Sequence, residues 1–162
     1  MDLDIEIDGW PKTYDWADLA EAAVEAAEAV EPALANQRLS ASLLFTVDEE
    51  VQTLNREWRT KDKPTNVLSF PMLTRAELLA LAPDGGPEML GDIAMALETC
   101  TREAAERGLK LETHAAHLIV HGLLHLAGHD HEQGDTEAAA MEALEIKALA
   151  QMGIADPYGD RN

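Results

Sequence analysis

The hydrophobic pattern of this chain changes between the two-residue period of strands and the wider spacing of helices. Alternating or compact apolar runs predict four strands, at residues 3–7, 39–47, 67–70 and 90–97. Apolar positions at helical spacing, with closing glycines and cap residues such as Asp15 and Asp48, predict helices at 15–30, 48–58, 98–107, 111–127 and 135–152, and a short helical run within 74–88. The pattern therefore predicts an α+β fold: a mixed, roughly four-stranded sheet with five to six helices.

The organisation of the chain is simple. The 162 residues contain no internal repeat and no low-complexity linker, which predicts one domain over 1–155 and a frayed tail over 156–162. A single cysteine, Cys100, excludes an internal disulfide and favours a reducing, cytoplasmic location. No basic leader and no apolar run of roughly 18 residues is present, so we expect a protein without a membrane segment.

The charge is strongly acidic, with 12 basic against 31 acidic residues and a formal net charge of −19. This balance argues against a partner held by bulk attraction to cations, such as long duplex nucleic acid. One segment differs, because "NREWRTKDKPTN" (55–66) carries four basic residues against two acidic ones. A local site for an anion is therefore compatible with the sequence.

Four of the six histidines lie within eleven residues, in "HGLLHLAGHDH" (121–131). His121 and His125 are four residues apart and share one helix face, since four residues turn a helix by about 400°. Gly128 can adopt the left-handed conformation that ends a helix and returns His131 toward the pair. This spacing predicts a metal site with these three histidines as ligands.

The chemistry of three neutral imidazoles favours one divalent ion per chain, with zinc as the default, and leaves a fourth position for water. The spacing is that of metzincin metalloproteases, but Gly122 stands where their general-base glutamate follows the first histidine. Glycine inside a helix costs on the order of 1 kcal/mol relative to alanine. Two interpretations remain open: room for substrate or water beside the metal, or a tight contact with a neighbouring element.

The residues around the three candidate ligands allow several roles. His117 is one turn before the first ligand and is expected to support the site rather than ligate. His129 is compatible with a fourth ligand, a titrating acid or base, or an ordinary turn residue. Asp130 and Glu132 are candidates to orient a ligand or accept a proton, whereas His114 is expected to be a partly exposed helix residue.

Three segments, "HGLLHLAGHDH", "NREWRTKDKPTNVLSF" and "LGDIAMA", together resemble the YbeY family of bacterial, metal-dependent, single-strand-specific endoribonucleases, which are linked to ribosomal RNA maturation and ribosome quality control. The resemblance covers nearly the whole chain. It implies that His121, His125 and His131 bind the metal, that Arg59 is the functional arginine of the basic segment, and that helices surround a four-stranded mixed sheet.

Two positions depart from the family pattern. Asn66 stands where the family usually has aspartate, which puts in doubt an acid or base role there, and His129 stands where it usually has tyrosine, which leaves the metal environment open to modification. In "LGDIAMA", Asp92 is compatible with a supporting role at the site or a structural role at a strand end.

The hypothesis that follows is a zinc-type endoribonuclease in which the three histidines bind the ion and Arg59 binds the phosphate, whose negative charge grows in the transition state. Its expected partners are single-stranded or ribosomal RNA and the ribosome or a ribosome-associated protein. A non-catalytic, metal-stabilised ribosome-assembly or RNA-binding factor is the alternative. A metalloprotease is a second alternative, which Gly122 disfavours.

Overall fold

A computed structural model describes residues 1–63, 65–130 and 134–159. It confirms the predicted α+β class, with four strands and, in the described residues, six α-helices. In chain order the elements are β1 (Asp2–Ile7), α1 (Trp16–Val30), a short 3₁₀ helix (Pro32–Ala35), β2 (Leu39–Thr46), α2 (Asp48–Arg59), β3 (Val67–Pro71), α3 (Arg75–Ala80), β4 (Glu88–Ala96), α4 (Leu97–Glu106), α5 (Leu111–Leu126) and α6 (Asp135–Gln151).

The four strands form one mixed sheet in the order β1-β2-β4-β3. Strands β1, β2 and β4 run parallel, whereas β3 pairs antiparallel with β4, with Ser69 opposite Ile93. Parallel neighbours require crossover connections, and the helices between them supply these. Because β3 is last in the strand order, this antiparallel strand forms one edge of the sheet.

The two faces of the sheet are covered differently because side chains alternate along each strand. One face carries buried residues such as Leu43, Phe45 and Ile93 and joins one large core with residues of α1, α5 and α6. The other face has a smaller core, in which Val51 of α2 packs with Leu68 of β3 and with small residues of β4. Helix α5 thus lies under the sheet with β3 and β4 above it.

One cap differs from the prediction. Helix α2 was expected to be capped by Asp48, but the cap position is Val47, which makes no side-chain cap bond. The Asp48 carboxylate instead accepts hydrogen bonds from the backbone N–H and the hydroxyl of Thr99, while its own N–H donates to Glu98. The acidic side chain therefore ties the first turns of α2 and α4 together.

The described helices include none with the length and apolar composition that a membrane span requires.

Candidate metal and RNA site

Helix α5 presents His121 and His125 on one side, and the tight packing of its other side explains Gly122. A Cβ added at Gly122 would lie 3.1 Å from Cδ1 of Ile93 in β4. The structure therefore favours the second interpretation of this glycine, a close approach of helix to sheet. Its cost to the helix is offset by bringing α5 against the strands that carry other residues of the site.

The end of α5 has the predicted glycine turn. Gly128 has a φ of +99°, its N–H donates to the His125 carbonyl, and the N–H of His129 donates to the Leu124 carbonyl. These two bonds form a Schellman motif, which satisfies the last carbonyls of the helix. A Cβ at Gly128 would also lie 2.7 Å from Cβ of Arg75. The turn therefore requires glycine both for its positive φ and for this close contact.

The turn after Gly128 is held by a buried carboxylate. Glu31 accepts a hydrogen bond from Nε2 of His129 at 2.7 Å and forms an ion pair with Arg75, which also donates to the Ala127 carbonyl. Burial opposes ionisation of Glu31, but the hydrogen bonds from His129 and Arg75 lower its pKa. The His129 ring is thus engaged as an anchor for this turn.

The third predicted ligand, His131, lies outside the described residues, as does Glu132. Asp130 is half-buried directly before it. Within the described ranges, no group of three or more His, Cys, Asp or Glu side chains is placed so that it could hold a metal ion. The predicted three-histidine site stays a prediction, with the positions of its first two ligands known.

A buried carboxylate on α6 organises the first of these ligands. Glu145, 1% exposed, lies 3.4 Å through Oε2 from Nδ1 of His121 and 2.6 Å through Oε1 from Nε2 of His117. The hydroxyl of Tyr158 donates to the same Oε1 at 2.8 Å. His117 therefore contacts the group that orients His121, which is the arrangement that its expected supporting role requires.

The charge of Glu145 is maintained in spite of its burial. Burial alone would raise its pKa, but hydrogen bonds from His117 and His121 outweigh this effect and bring the pKa to about 2. An ionised carboxylate accepts hydrogen bonds only, so the imidazole nitrogens facing it carry the protons. In His121 the nitrogen that faces Glu145, and therefore carries a proton, is Nδ1.

The second ligand is oriented by the sheet. Nδ1 of His125 is hydrogen-bonded to the hydroxyl of Ser69, the residue of β3 that lies opposite Ile93. Both candidate ligands therefore use Nδ1 for a protein partner. This pattern is common in metal sites, where the second ring nitrogen fixes the tautomer and the ring orientation.

Arg59 lies on the same cavity as His121. The cavity has a volume of about 640 Å³ and is lined by residues of α2, α4, α5, α6 and the tail, among them Arg59, Asn66, Glu103, Arg107, His121 and Tyr158. Arg59 is the last residue of α2 and is exposed. Thr60 after it has a φ of +58°, and this left-handed residue ends the helix at the arginine.

The other end of the cavity contains a second carboxylate network. Oε1 of Glu103 accepts hydrogen bonds from Nδ2 of Asn66 at 3.0 Å and from Nε2 of His114 at 2.9 Å. His114 is 3% exposed, so its expected partial exposure was wrong, since α4 covers that turn of α5. Burial lowers the pKa of His114 and outweighs the opposing effect of Glu103, which keeps the ring neutral.

Asp92 is structural in this fold. Its neighbour Ile93 faces α5, so Asp92 points to the opposite face of the sheet, where it accepts a hydrogen bond from Ser42 on β2. The sequence left two roles open for Asp92, and the structure favours the structural one.

Three residues of the site were missed from the sequence: Ser69, Glu145 and Tyr158. Glu145 had a signal, because it shares the buried stripe of α6 with Met141, Ala148 and Leu149. A charged residue within an apolar stripe needs a buried partner. Ser69 and Tyr158 gave no comparable signal, since one is an ordinary strand residue and the other follows the last helix.

The frayed tail predicted for 156–162 stays a prediction, although its described part makes contacts with the domain. Tyr158 bonds to Glu145, and the carbonyl of Pro157 accepts a hydrogen bond from Arg107 at 2.6 Å. A buried carboxylate of α6 and the residue after α4 supply these contacts, which local sequence does not reveal. Residues 160–162 lie outside the description.

The fold and the site define an α+β protein whose histidines, carboxylates and arginine line one cavity. Its fold is similar to a solution structure of a protein from Thermotoga maritima, with a TM-score of 0.57 at 23% identity, covering 98% of this chain and 97% of that one.

The family is shown by sequence. The family model described as endoribonuclease YbeY matches residues 5–153. A protein of Erythrobacter litoralis named endoribonuclease YbeY is 65% identical over 161 residues, covering 99% of both chains. One with the same name from Novosphingobium aromaticivorans is 60% identical over 158 residues, covering 96% of this chain and 95% of its own. The chain belongs to the endoribonuclease YbeY family.

Proposed function

We propose that this protein is a metal-dependent endoribonuclease that cuts single-stranded RNA, that its ion is zinc, and that ribosomal RNA is its substrate during maturation and quality control of the ribosome. The family to which the chain belongs is that of an endoribonuclease. The observation that carries the metal dependence is the pair His121 and His125, each with Nδ1 bonded to a protein group.

The donor set fits a borderline-soft divalent ion. Imidazole nitrogens are zinc ligands, and His121 and His125 would bind through Nε2 together with His131. The orienting groups are of the kinds that metal sites use, a buried carboxylate for one ring and a hydroxyl for the other. The ring positions are therefore set by the fold before any ligand arrives.

The chain's own residues then divide the work on a phosphodiester. When bound, a divalent ion supplies positive charge that polarises a phosphoryl oxygen and lowers the pKa of water. Arg59 offers a guanidinium whose N–H groups match phosphate oxygens and stabilise the charge that grows in the transition state. Glu145 holds the proton of His121 on Nδ1, and His117 and Tyr158 hold Glu145 in place.

The acidity of the chain limits how RNA is held. With a net charge of −19, the protein surface repels a long polyanion. The basic residues Arg59, Lys61 and Lys63 lie at the end of α2 and directly after it, and all three are exposed. We therefore expect a contact with a few nucleotides of single strand, with the ribosome or an associated protein supplying the rest of the targeting.

The metalloprotease alternative has no support in the geometry. The position of the general base is occupied by Gly122, where a Cβ would lie 3.1 Å from Cδ1 of Ile93, so that a side chain would require this isoleucine to shift. The non-catalytic alternative makes a different prediction: loss of the metal would unfold the protein, and no RNA would be cut.

The deciding experiment measures metal content by elemental analysis and cleavage of a single-stranded RNA on the same preparations of wild type and His125→Ala. We expect one zinc per wild-type chain, and loss of both the zinc and the cleavage in the variant, with unchanged helical circular dichroism. A matched duplex should resist the wild type. Wild type that holds zinc but cuts no more RNA than the variant would establish the assembly factor instead.

A further inference from the structure

We infer that the end of the cavity away from His121 is a base-reading subsite, in which Glu103 and Arg107 recognise cytosine or adenine in a nucleotide beside the cleaved bond. The inference rests on the proposed function and adds a preference to it. The Glu103 carboxylate and the Arg107 guanidinium line the same cavity, and together they distinguish bases by the order of donors and acceptors on the pairing edge.

The Glu103 carboxylate is oriented through one of its two oxygens. Both hydrogen bonds to it, from Asn66 and from His114, end on Oε1. Nδ1 of His114 is buried and has no hydrogen-bond partner in the described part of the chain. A buried N–H without an acceptor is costly, so the proton of the neutral ring belongs on Nε2, where it donates to Glu103.

The second oxygen is available to a ligand. Oε2 of Glu103 makes no hydrogen bond with the residues that the structure describes, and the side chain is 30% exposed on the cavity wall. The two donors on Oε1 hold the carboxylate in one orientation. A ligand that binds Oε2 therefore costs little further conformational entropy of this side chain. A fixed acceptor in a polar cavity is suited to select a ligand by its N–H groups.

Arg107 supplies the complementary donor. It follows directly after α4, four residues beyond Glu103, and its side chain lines the same cavity. Its guanidinium donates to the Pro157 carbonyl through Nη2. A guanidinium has five N–H groups, so this bond leaves donors for a ligand.

The pair selects among bases by chemistry. Cytosine and adenine each carry an amino donor next to a ring nitrogen acceptor on the pairing edge, which matches the carboxylate and the guanidinium in that order. Uracil presents a carbonyl acceptor beside a ring N–H donor, which is the reverse order. Guanine has the same reverse order but adds an amino donor beside its ring N–H, so a carboxylate rejects it less than uracil. Carboxylate recognition of the cytosine amino group is an established pairing in nucleic-acid readout.

The dimensions allow one nucleotide to reach both ends. His114 and His121 are seven residues apart on α5, which is about 10.5 Å along the helix axis. The cavity, with a volume of about 640 Å³, is continuous between them and has apolar wall from Val67 and Leu118. A phosphate beside Arg59 and His121 can therefore belong to the nucleotide whose base lies at Glu103.

The test measures binding of the 3′- and 5′-monophosphates of cytidine, adenosine, uridine and guanosine to the zinc-loaded protein by titration calorimetry. In one of the two phosphate series, we expect cytidine and adenosine nucleotides to bind about 5- to 100-fold more tightly than uridine nucleotides, the range of one good base contact. Glu103→Gln replaces the acceptor by an amide donor and should abolish this preference.

Two further variants control the result. Arg107→Ala, at an exposed position, should reduce the preference at least about fivefold while the thermal unfolding temperature stays unchanged, so it also serves if Glu103→Gln fails to fold. Glu98→Gln is the matched control, since Glu98 is exposed on the same helix, away from the cavity, and accepts a hydrogen bond from the N–H of Asp48. It should keep the wild-type preference.

Three outcomes would overturn the inference: equal binding of all four bases, no measurable binding of any nucleotide, or a preference that survives both Glu103→Gln and Arg107→Ala. Cleavage of single-stranded RNA is measured on the same protein to separate this failure from that of the proposed function. RNA cleavage without base preference removes only the subsite, whereas absent cleavage removes the function on which it rests.

Discussion

Helix α5 carries two pairs of histidines that are bonded through opposite ring nitrogens. His114 and His117 are buried and use Nε2 to reach carboxylates on α4 and α6, whereas His121 and His125 are half-buried and use Nδ1 to reach Glu145 and Ser69. All four rings belong to one helix. The difference shows that the elements packed around each turn, and not the helix itself, decide which ring nitrogen bonds to these protein partners.

The largest expected effect comes from removing a ring of the second pair. His121→Ala should abolish stoichiometric zinc and slow RNA cleavage at least about 100-fold, because a metal contributes several kcal/mol to such a transition state. Elemental analysis and cleavage rates on one preparation measure both. Circular dichroism is the control for folding, and a variant that keeps its zinc would remove His121 from the ligands.

Glu145→Gln should weaken zinc binding about 10- to 100-fold, the usual cost of losing a group that orients a metal ligand. The amide cannot accept from both His117 and His121 as a carboxylate does. Competition with a chelator measures the affinity, and nitrogen chemical shifts of the imidazoles report whether His121 still carries its proton on Nδ1. Glu25→Gln, on an exposed position of α1, is the control, and an unchanged affinity in Glu145→Gln would contradict this role.

Ser69→Ala should also weaken zinc binding, but less than Glu145→Gln, because it removes the hydrogen bond that orients His125. A neutral hydrogen bond contributes about 1 kcal/mol net, which corresponds to about a fivefold loss of zinc affinity. The same chelator competition applies, and Ser40→Ala on β2 is a matched strand control. A loss larger than that of Glu145→Gln would reverse the ranking of the two supports.

The smallest expected effect is a change in the pH dependence of stability, and it concerns His114 in the buried pair. Burial lowers the pKa of His114 below its ordinary value of 6.5, so the unfolded chain binds this proton more readily than the folded one. Stability contributed by the neutral ring is present above pH 6.5 and decreases as the pH falls below it, by at most about 1.4 kcal/mol per pH unit.

His114→Gln should therefore flatten the decline of unfolding free energy between pH 6.5 and 5.5 without changing the zinc content. Urea unfolding of both proteins at several pH values measures it. Identical slopes for wild type and variant would show that His114 does not resist protonation in the fold.

The elements could be predicted from the sequence because local periodicity determines them, and the strands and helices agree with the prediction to within one or two residues at most ends. The pair His121 and His125 could be predicted for the same reason, since their relation depends only on helix geometry. The partners of those rings could not. Glu145 lies twenty residues beyond His125, and Ser69 lies on an edge strand whose register brings it over α5.

His114 also shows that local sequence does not reveal tertiary contacts. Its expected exposure depended on the helix considered alone, whereas α4 folds over it and Glu103 bonds to it. Asp48 likewise has the residue type and position of a helix cap, but its carboxylate bonds to Thr99 fifty-one residues later. Tertiary contacts override local preference where a polar side chain can reach a second element.

The bond between Tyr158 and Glu145 has a practical consequence for anyone who purifies this protein. A polyhistidine tag added after Asn162 would begin five residues beyond that tyrosine. Its imidazoles would bind zinc themselves and add to every metal determination that tests the proposed site. At the other end, the ammonium group of Met1 pairs with Glu28 on α1 at 3.4 Å, and its loss affects a surface contact of little energetic weight. A cleavable tag on the amino terminus is therefore the form in which the zinc stoichiometry should be measured.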